Sequence, residues 1–336
     1  MRTHLLKLKE LFQTPAGRRT LLEFVLGNYL YPSIAILVIV YGALAWDKNY
    51  FSYQNFRNLM MSLALSTLTA GALMITTLVG QIDASTRGVS GLISVILGVL
   101  FQLNGWPVLP SLIVVVIIAT LMGLATSVMV VDLKVNGLIA TLALVSVYIG
   151  IAMFFHNNQM IAVNRPQLQD VIYHDILGLP ATVWFAIATL VVLYVILNHT
   201  RLGAHIYAIG ANPYAATVSG VPVKRVTRTT LVISAVLVAV AGVFSTARAG
   251  LTLLYGSTGG INWNLGPVIL GGVSIFGGVG RIENILLALI FGAVQDNGMN
   301  ILDMRTAERY LISGVTFLGA LIINVTYLRM RKLLRD

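Results

Sequence analysis

The sequence predicts an all-α, polytopic membrane protein with about ten transmembrane helices and both termini in the cytoplasm. The first observation is composition: 57% of the 336 residues are hydrophobic, 10% are charged, and the mean hydropathy is +0.86. In soluble domains charged residues make up about a quarter of the chain, and disordered chains need low hydrophobicity. The second observation is the repetition of long apolar runs, and the third is the distribution of Lys and Arg between them.

The apolar runs that are long enough to cross a bilayer give the elements in order. They lie at 30–46, 58–79, 88–103, 108–131, 135–155, 180–198, 229–247, 262–276, 284–302 and 309–327. The eighth run is short and rich in glycine, so it is the weakest of the ten. The basic segment 1–29 is predicted to be a cytoplasmic lead-in and not a cleaved signal, because no small-residue cleavage site follows a short apolar core.

The Lys and Arg residues set the orientation of these spans. With the N-terminus inside, sixteen of the 22 fall on the cytoplasmic side and six on the outer side. This excess follows the positive-inside rule and supports an even number of spans. It also accounts for the net charge of +10, so binding to nucleic acid is not indicated.

The whole chain, 1–336, is predicted to be a single transmembrane domain, because no polar stretch is long enough to form a second one. Its cytoplasmic parts are the segment 1–29, the loop 199–228 and the basic tail 328–336. The longest predicted outer segment, 156–179, mixes polar and apolar residues. That segment is compatible with a structured connector, containing a small surface helix, or with a docking surface for an external partner.

The cytoplasmic loop 199–228 contains the signals of a short helix. Asn212 is suited to cap it, Pro213 fits its first turn, and Ser219-Gly220 followed by Pro222 would end it. A helix of about two turns is not stable alone. It must pack either on its own chain or, through its small alanine face, in a groove of a soluble partner.

The residues that usually carry enzyme chemistry are missing or scattered. The sequence has no cysteine, and its five histidines lack the spacing of metal ligands. No G-x-x-x-x-G-K-[ST] motif is present, so ATP hydrolysis by this chain is not expected. We therefore predict a protein that is not an enzyme and that holds no metal and no cofactor of its own.

Two aspartates lie close to predicted spans. Asp83, in the segment between the second and third spans, either caps the third helix or belongs to a broken-helix element that lines a solute path, where Arg87 is its candidate partner. Asp296, in the ninth span, is either an interfacial residue or a polar lining group. Ion-coupled carriers bury several ionisable groups, so this scarcity argues against a self-contained secondary transporter or channel, which remains the alternative.

Glycines crowd the end of the eighth run and the segment after it. They are Gly271, Gly272, Gly277, Gly278 and Gly280. No βαβ pattern surrounds them, so they do not form a dinucleotide fingerprint. Within a membrane they indicate close helix packing or a broken helix.

Taken together, these motifs resemble one family, the permease subunits of ribose-type ABC importers. Thr200-Arg201-Leu202-Gly203 and the run Tyr207–Ala216 match that family's cytoplasmic loop, and Val268–Gly280 matches its V-x-G-G-x-S-x-x-G-G-x-G motif. Lys134-Val135 with Thr141-Leu142, and Asn297-Gly298, resemble two further motifs. The matches extend from about residue 55 to the C-terminus.

The resemblance implies a permease of a bacterial cytoplasmic (inner) membrane importer, working as a dimer with a second copy or a paralogous chain. It implies an ABC ATPase, usually with tandem domains, that binds ATP and Mg²⁺, and a periplasmic or lipid-anchored solute-binding protein. The solute would be a monosaccharide or related hydroxylated molecule. The loop helix at Asn212–Gly220 then becomes the coupling helix. The residues implied in coupling to the ATPase are Gly203, Gly210, Asn212, Pro213, Tyr214, Ala215, Ala216, Ser219 and Gly220.

The sequence departs from the family pattern at several positions. Arg87 stands where glycine is usual, Tyr214 replaces a glutamate, and Thr126-Ser127 replaces an Asn-Gly pair. These departures leave the solute open and make a heterodimer plausible. The candidate lining residues of the solute path are Asp83, Ser85, Asn262, Trp263, Asn264, Asp296 and Asn297.

Overall fold

The computed structural model describes residues 29–156, 159–163, 165–254 and 265–333, and for residues 103, 156 and 324–333 it describes the backbone only. Most of these residues are helical, as the composition predicts. The chain divides into two compact units, one formed by residues 53–289 and the other by residues 1–52 and 290–336.

The larger unit, 53–289, contains most of the helices. They are α2 (Tyr53–Leu78), α3 (Thr86–Gly98), α4 (Val108–Ser127), α5 (Gly137–His156), α6 (Pro166–Tyr173), α7 (Ala181–His199), α8 (Arg201–Ala211), α9 (Pro213–Val218), α10 (Val223–Ala249), α11 (Leu265–Leu270) and the start of α12 (Ile282–Ile301). A two-residue antiparallel pair, β1 (Asp175–Ile176) with β2 (Leu179–Pro180), precedes α7.

Helix α10 is the centre of this unit, because it packs against α2, α3 and α4. Small residues allow these close approaches, as is usual between membrane helices. A Cβ added at Gly123 of α4 would lie 2.7 Å from the Cα of Val232, and one at Gly242 would lie 3.1 Å from the carbonyl oxygen of Ser90. Between α3 and α10, Thr246 and Ser94 also share a hydrogen bond of 2.6 Å.

Two helices of this unit end in a π turn, Val99–Leu103 after α3 and Val128–Asp132 after α4. The second turn is followed by Leu133 and then by Lys134, whose φ of 54° is unusual for a lysine. Such wide turns occur mostly as local irregularities, frequently at functional sites. The chain therefore leaves α4 through an irregular segment at its predicted cytoplasmic end.

The smaller unit contains α1 (Leu30–Leu44), a 3₁₀ turn (Trp46–Lys48), the second part of α12 and α13 (Thr306–Leu333). Its apolar cluster is built around Tyr41, Ala45, Tyr50 and Met299. Gly298 is needed there, because an added Cβ would overlap the ring of Tyr41. Gln295 and Thr316 join α12 to α13 through side-chain hydrogen bonds of 2.7 and 3.0 Å.

Six described helices are long and apolar enough to cross a membrane, and two shorter apolar helices accompany them. This finding confirms an all-α polytopic membrane protein. The predicted eighth span, 262–276, is wrong as a continuous helix in its described part. Helix α11 has six residues and ends at Leu270, because Gly272 adopts a φ of 78° and the chain turns.

Some predicted segments lie partly or wholly outside the described residues. The lead-in 1–29 is described only at Tyr29, and of the tail 328–336 only the backbone of α13 to Leu333 is described. The outer segment 156–179 contains the small helix α6, which buries Leu168 and Ile172.

Candidate functional site

The short helix α9 of the predicted cytoplasmic loop is closed at both ends by its own sequence. The Asn212 side chain accepts a hydrogen bond from the backbone N–H of Ala215 at 3.0 Å, and Pro213 occupies the first turn. At the other end the N–H of Gly220, with φ of 81°, donates to Thr217, and that of Val221 donates to Ala216. This paired arrangement is a Schellman motif, which requires an αL residue.

The faces of α9 differ from the sequence-based expectation. Ala216 is only 4% exposed and packs in the hydrophobic cluster that includes Ile209 and Val226. Tyr214 and Val218 are 79% and 72% exposed. The surface that α9 offers is therefore not an alanine face. It is a tyrosine and a valine beside the exposed Ala215.

The glycine-rich segment 274–280 is seated against α8, which leads directly into α9. A Cβ at Gly210 would overlap both the carbonyl oxygen of Leu78 and the backbone nitrogen of Gly278. The N–H of Gly278 in turn donates to the carbonyl of Leu78 at 2.9 Å. Gly278 has a φ of 72°, a conformation that favours glycine. The backbones of α2, α8 and segment 274–280, which are far apart in the sequence, are therefore in direct contact.

Tyr207 adds a side-chain contact at the same place. Its hydroxyl donates to the carbonyl of Gly280 at 2.9 Å. Burial raises the pKa of Tyr207, Glu283 raises it further, and Arg281 opposes the change. The phenol is therefore neutral at physiological pH and remains a hydrogen-bond donor to the glycine-rich segment.

Sequence reasoning missed the apolar residues that this segment exposes. Phe276 is 84% exposed, and Val279 is also exposed. The glycines around them predict close helix packing or a broken helix, and neither prediction distinguishes the apolar residues between them. The signal that could have revealed them is Arg281, which places the end of this segment on the cytoplasmic side with α9.

Asp83 lies in the short segment between α2 and α3 and is buried. Its carboxylate accepts hydrogen bonds from the Ser85 N–H at 2.9 Å, the Ser85 hydroxyl at 2.5 Å and the Ser234 hydroxyl of α10 at 3.2 Å. The residue at the N-cap position of α3 is Ser85, not Asp83. Asp83 therefore attaches the non-helical segment between α2 and α3 to helix α10.

The same segment is also held from the side of α5. The backbone N–H of Ala84 donates to the Thr141 hydroxyl at 3.0 Å. Burial raises the pKa of Asp83, whereas the hydrogen bonds from Ser85 and Ser234 lower it, and the net direction is upward. Asp83 and Ser85 thus form a site together, but their polar atoms are occupied by the chain itself.

We expect Asp83→Asn to keep the stability of the wild type within about 1 kcal/mol, because a neutral amide keeps the shape and avoids the cost of burying a charge. Asp83→Ala should lose roughly 2 kcal/mol, since buried donors of Ser85 lose their acceptor. Thermal unfolding of the purified variants, followed by tryptophan fluorescence, measures both. An Asp83→Asn variant that folds normally but fails to transport would instead place the carboxylate in the solute path.

The other candidate lining residues lie either outside the described residues or in the smaller unit. Asn262, Trp263 and Asn264 lie outside the described residues. Asp296 and Asn297 belong to the smaller unit, where Asp296 lies 3.9 Å from Arg309. Among the residues that the structure describes, no group of three His, Asp or Glu side chains is arranged to hold a metal ion.

The remaining candidate glycines occupy tight or turning positions. A Cβ at Gly271 would lie 2.8 Å from the Cα of Ile285 in α12, and one at Gly280 would lie 2.8 Å from the side chain of Val273. Gly203 is equally constrained, since a Cβ there would overlap the end of α7.

Comparisons with known proteins show the family of this chain. Residues 55–321 match the family model described as the branched-chain amino acid transport system / permease component. The ribose import permease protein of Haemophilus influenzae is 26% identical over 93% of this chain and 98% of its own length. An L-arabinose ABC transporter permease protein of Azospirillum brasilense is 28% identical over 89% of this chain and 87% of its own. No solved structure matches.

Proposed function

The chain belongs to the family of branched-chain amino acid transport system permease components, and on this premise we propose that it imports a monosaccharide or a sugar derivative as part of an ATP-driven transporter. Relatives aligned over nearly their whole length are named as permeases for ribose and L-arabinose. The protein is a multi-pass subunit of the cytoplasmic membrane. ATP and Mg²⁺ would bind to a separate ATPase chain with tandem domains.

The observation that carries this proposal is the exposed surface of α9. A six-residue helix has too few internal hydrogen bonds to be stable alone, yet both of its ends are closed by capping interactions. Ala216 forms its buried side, while Tyr214 and Val218 are exposed. Exposed aromatic and aliphatic residues on a rigid element are typical of a protein interface.

The glycine-rich segment 274–280 extends this surface. Its backbone contacts to α8 and α2 place Gly278 beside Ala211, just before α9, and the carbonyl of Phe276 beside Gly80. The ATPase would therefore meet two apolar elements that are joined rigidly to the membrane helices. Movement of the ATPase could then be transmitted to α2 and α8 without loss in a flexible loop.

Transport would proceed by alternating access between two permease subunits, either two copies or two related chains. The proposal retains about ten membrane spans, with both termini in the cytoplasm. ATP binding changes the relative stability of inward-open and outward-open states, so this chain need not perform chemistry. A periplasmic or lipid-anchored binding protein would deliver the solute to the outer side.

The solute class follows from the polarity of the membrane helices. Asp83 is buried in the larger unit, and its carboxylate oxygens accept hydrogen bonds from Ser85 and Ser234. A neutral solute with many hydroxyl groups requires hydrogen-bonding side chains but no compensating charge. This requirement agrees with the sugar transport named for the relatives.

The test is a mild-detergent purification of the tagged chain from its native cell, with the accompanying subunits identified by mass spectrometry. We expect an ABC ATPase and either one permease or two. The stoichiometry distinguishes a homodimer from a heterodimer. A chain that purifies alone, in the amount present in the membrane, and that transports a sugar in liposomes on an ion gradient would favour the secondary-transporter alternative.

A further inference from the structure

A cavity of about 560 Å³ opens beside α9 in the larger unit. It lies between the π turn that ends α4, the start of α10 and the connection from α9 to α10. Its walls include Val130, Val131, Val221 and Val223. Its size falls in the range of small-molecule sites, which is about 300–1,000 Å³.

The charged residues that line this cavity all have the same sign. They are Lys134, Lys224 and Arg225, and no carboxylate lines it among the residues that the structure describes. The nearby Asp132 is already paired with Arg228 at 2.7 Å. Three exposed basic residues therefore line one mainly apolar cavity.

The backbone at Lys134 supports a role for its charge. Its φ of 54° is left-handed, a conformation in which glycine or asparagine is favoured over lysine. Glycine at this position would relieve the strain but remove the ammonium group. Backbone strain of this kind is found preferentially at sites that bind ligands.

The surface next to the cavity is apolar and faces outward. Leu133 and Ile139, on either side of Lys134, are both about two-thirds exposed, at 66% and 64%. They continue into the exposed side of α5, which belongs to a predicted membrane span. A molecule held in the cavity by a charged group could therefore extend acyl chains along this side.

We propose that the cavity binds the headgroup of an anionic phospholipid of the cytoplasmic leaflet. The phosphate would interact with Lys134, Lys224 and Arg225, and the acyl chains would lie along Leu133 and Ile139. Basic pockets between membrane helices on the cytoplasmic side are suited to acidic lipids. A free phosphate has the same charge but makes no use of the adjoining apolar surface.

Bound lipid would connect two moving parts of the permease. Thr217 of α9 lines the cavity on one side and Gln81, in the segment between α2 and α3, on another. The lipid would therefore stiffen the link between the coupling surface and the membrane helices. This inference concerns lipid binding and does not depend on the identity of the transported solute.

The test uses native mass spectrometry of the full chain, purified with whatever subunits accompany it and incubated with phosphatidylglycerol or with phosphatidylcholine. We expect retention of phosphatidylglycerol to exceed that of phosphatidylcholine at least fivefold. The triple substitution Lys134→Gln, Lys224→Gln and Arg225→Gln should remove this preference. Arg281→Gln, a basic residue of the same face outside the cavity, should leave it unchanged.

A charge-preserving variant guards against misfolding. Lys134→Arg combined with Lys224→Arg should retain phosphatidylglycerol as the wild type does. Equal retention by the triple variant and the wild type would overturn the proposal. So would displacement of the lipid by millimolar inorganic phosphate, which would indicate a soluble anion. A triple variant that keeps its lipid but loses the ATPase would instead assign the cations to a protein contact.

Discussion

Replacing Tyr214 and Val218 together by aspartate should separate this permease from its ATPase. The two side chains are the most exposed apolar groups of α9, and an interface would bury them. Burying an unpaired charge in an apolar contact costs several kcal/mol. Since each 1.4 kcal/mol is a factor of ten in affinity, we expect at least a hundredfold weaker association, measured as loss of ATPase during purification.

The control places one aspartate on the predicted outer side of the membrane. Leu177 is also a highly exposed aliphatic residue, in the turn between β1 and β2 on the predicted outer side. Leu177→Asp should leave the amount of purified ATPase unchanged. If the Tyr214, Val218 double variant keeps the ATPase and its solute-stimulated hydrolysis, α9 is not the coupling element.

Ala216 is unsuitable for this experiment, although sequence reasoning favours it as part of the contacting face. Its side chain is buried in the cluster beneath α9, so a large residue there would disturb the fold of the loop. Loss of ATPase in such a variant would not distinguish a damaged interface from a damaged helix. The exposed residues of the same helix avoid this ambiguity.

The membrane helices and the caps of α9 could be predicted because their causes are local. Apolar length determines a span, and Asn212, Pro213 and Gly220 act on backbone groups within a few residues. The orientation of α9 has no such local cause. Six residues carry no usable periodicity, and which side is buried depends on α8 and α10.

Contacts between distant segments were equally inaccessible. Asp83 and Ser234 are separated by 151 positions, and nothing in either neighbourhood points to the other. The eighth predicted span illustrates a related error. Its hydropathy resembles that of a span, but Gly272, Gly277 and Gly278 all adopt positive φ and turn the chain onto α8. The sequence shows that glycines are present, but their backbone conformations depend on the surface against which they pack.

Gly210→Ala is expected to have the second large effect, a loss of stability and of ATPase binding. The position that its methyl group would occupy is already taken by backbone atoms of neighbouring segments. The added Cβ would overlap the carbonyl of Leu78 and the nitrogen of Gly278, neither of which has a flexible end that could move aside. Overpacking of this kind costs about 3 kcal/mol. We expect a lower unfolding temperature and loss of ATPase, since α8, α2 and segment 274–280 would separate.

Gly150→Ala provides the matched control, since it is the same substitution within helix α5 but has no atom within 4 Å of the added Cβ. Alanine is favoured over glycine in a helix by up to about 1 kcal/mol, so this variant should unfold at the same temperature or higher. A Gly210→Ala variant that behaves like Gly150→Ala would show that segment 274–280 does not rest on α8. Phe276 would then have no fixed position beside α9, and the coupling surface would be reduced to Tyr214 and Val218.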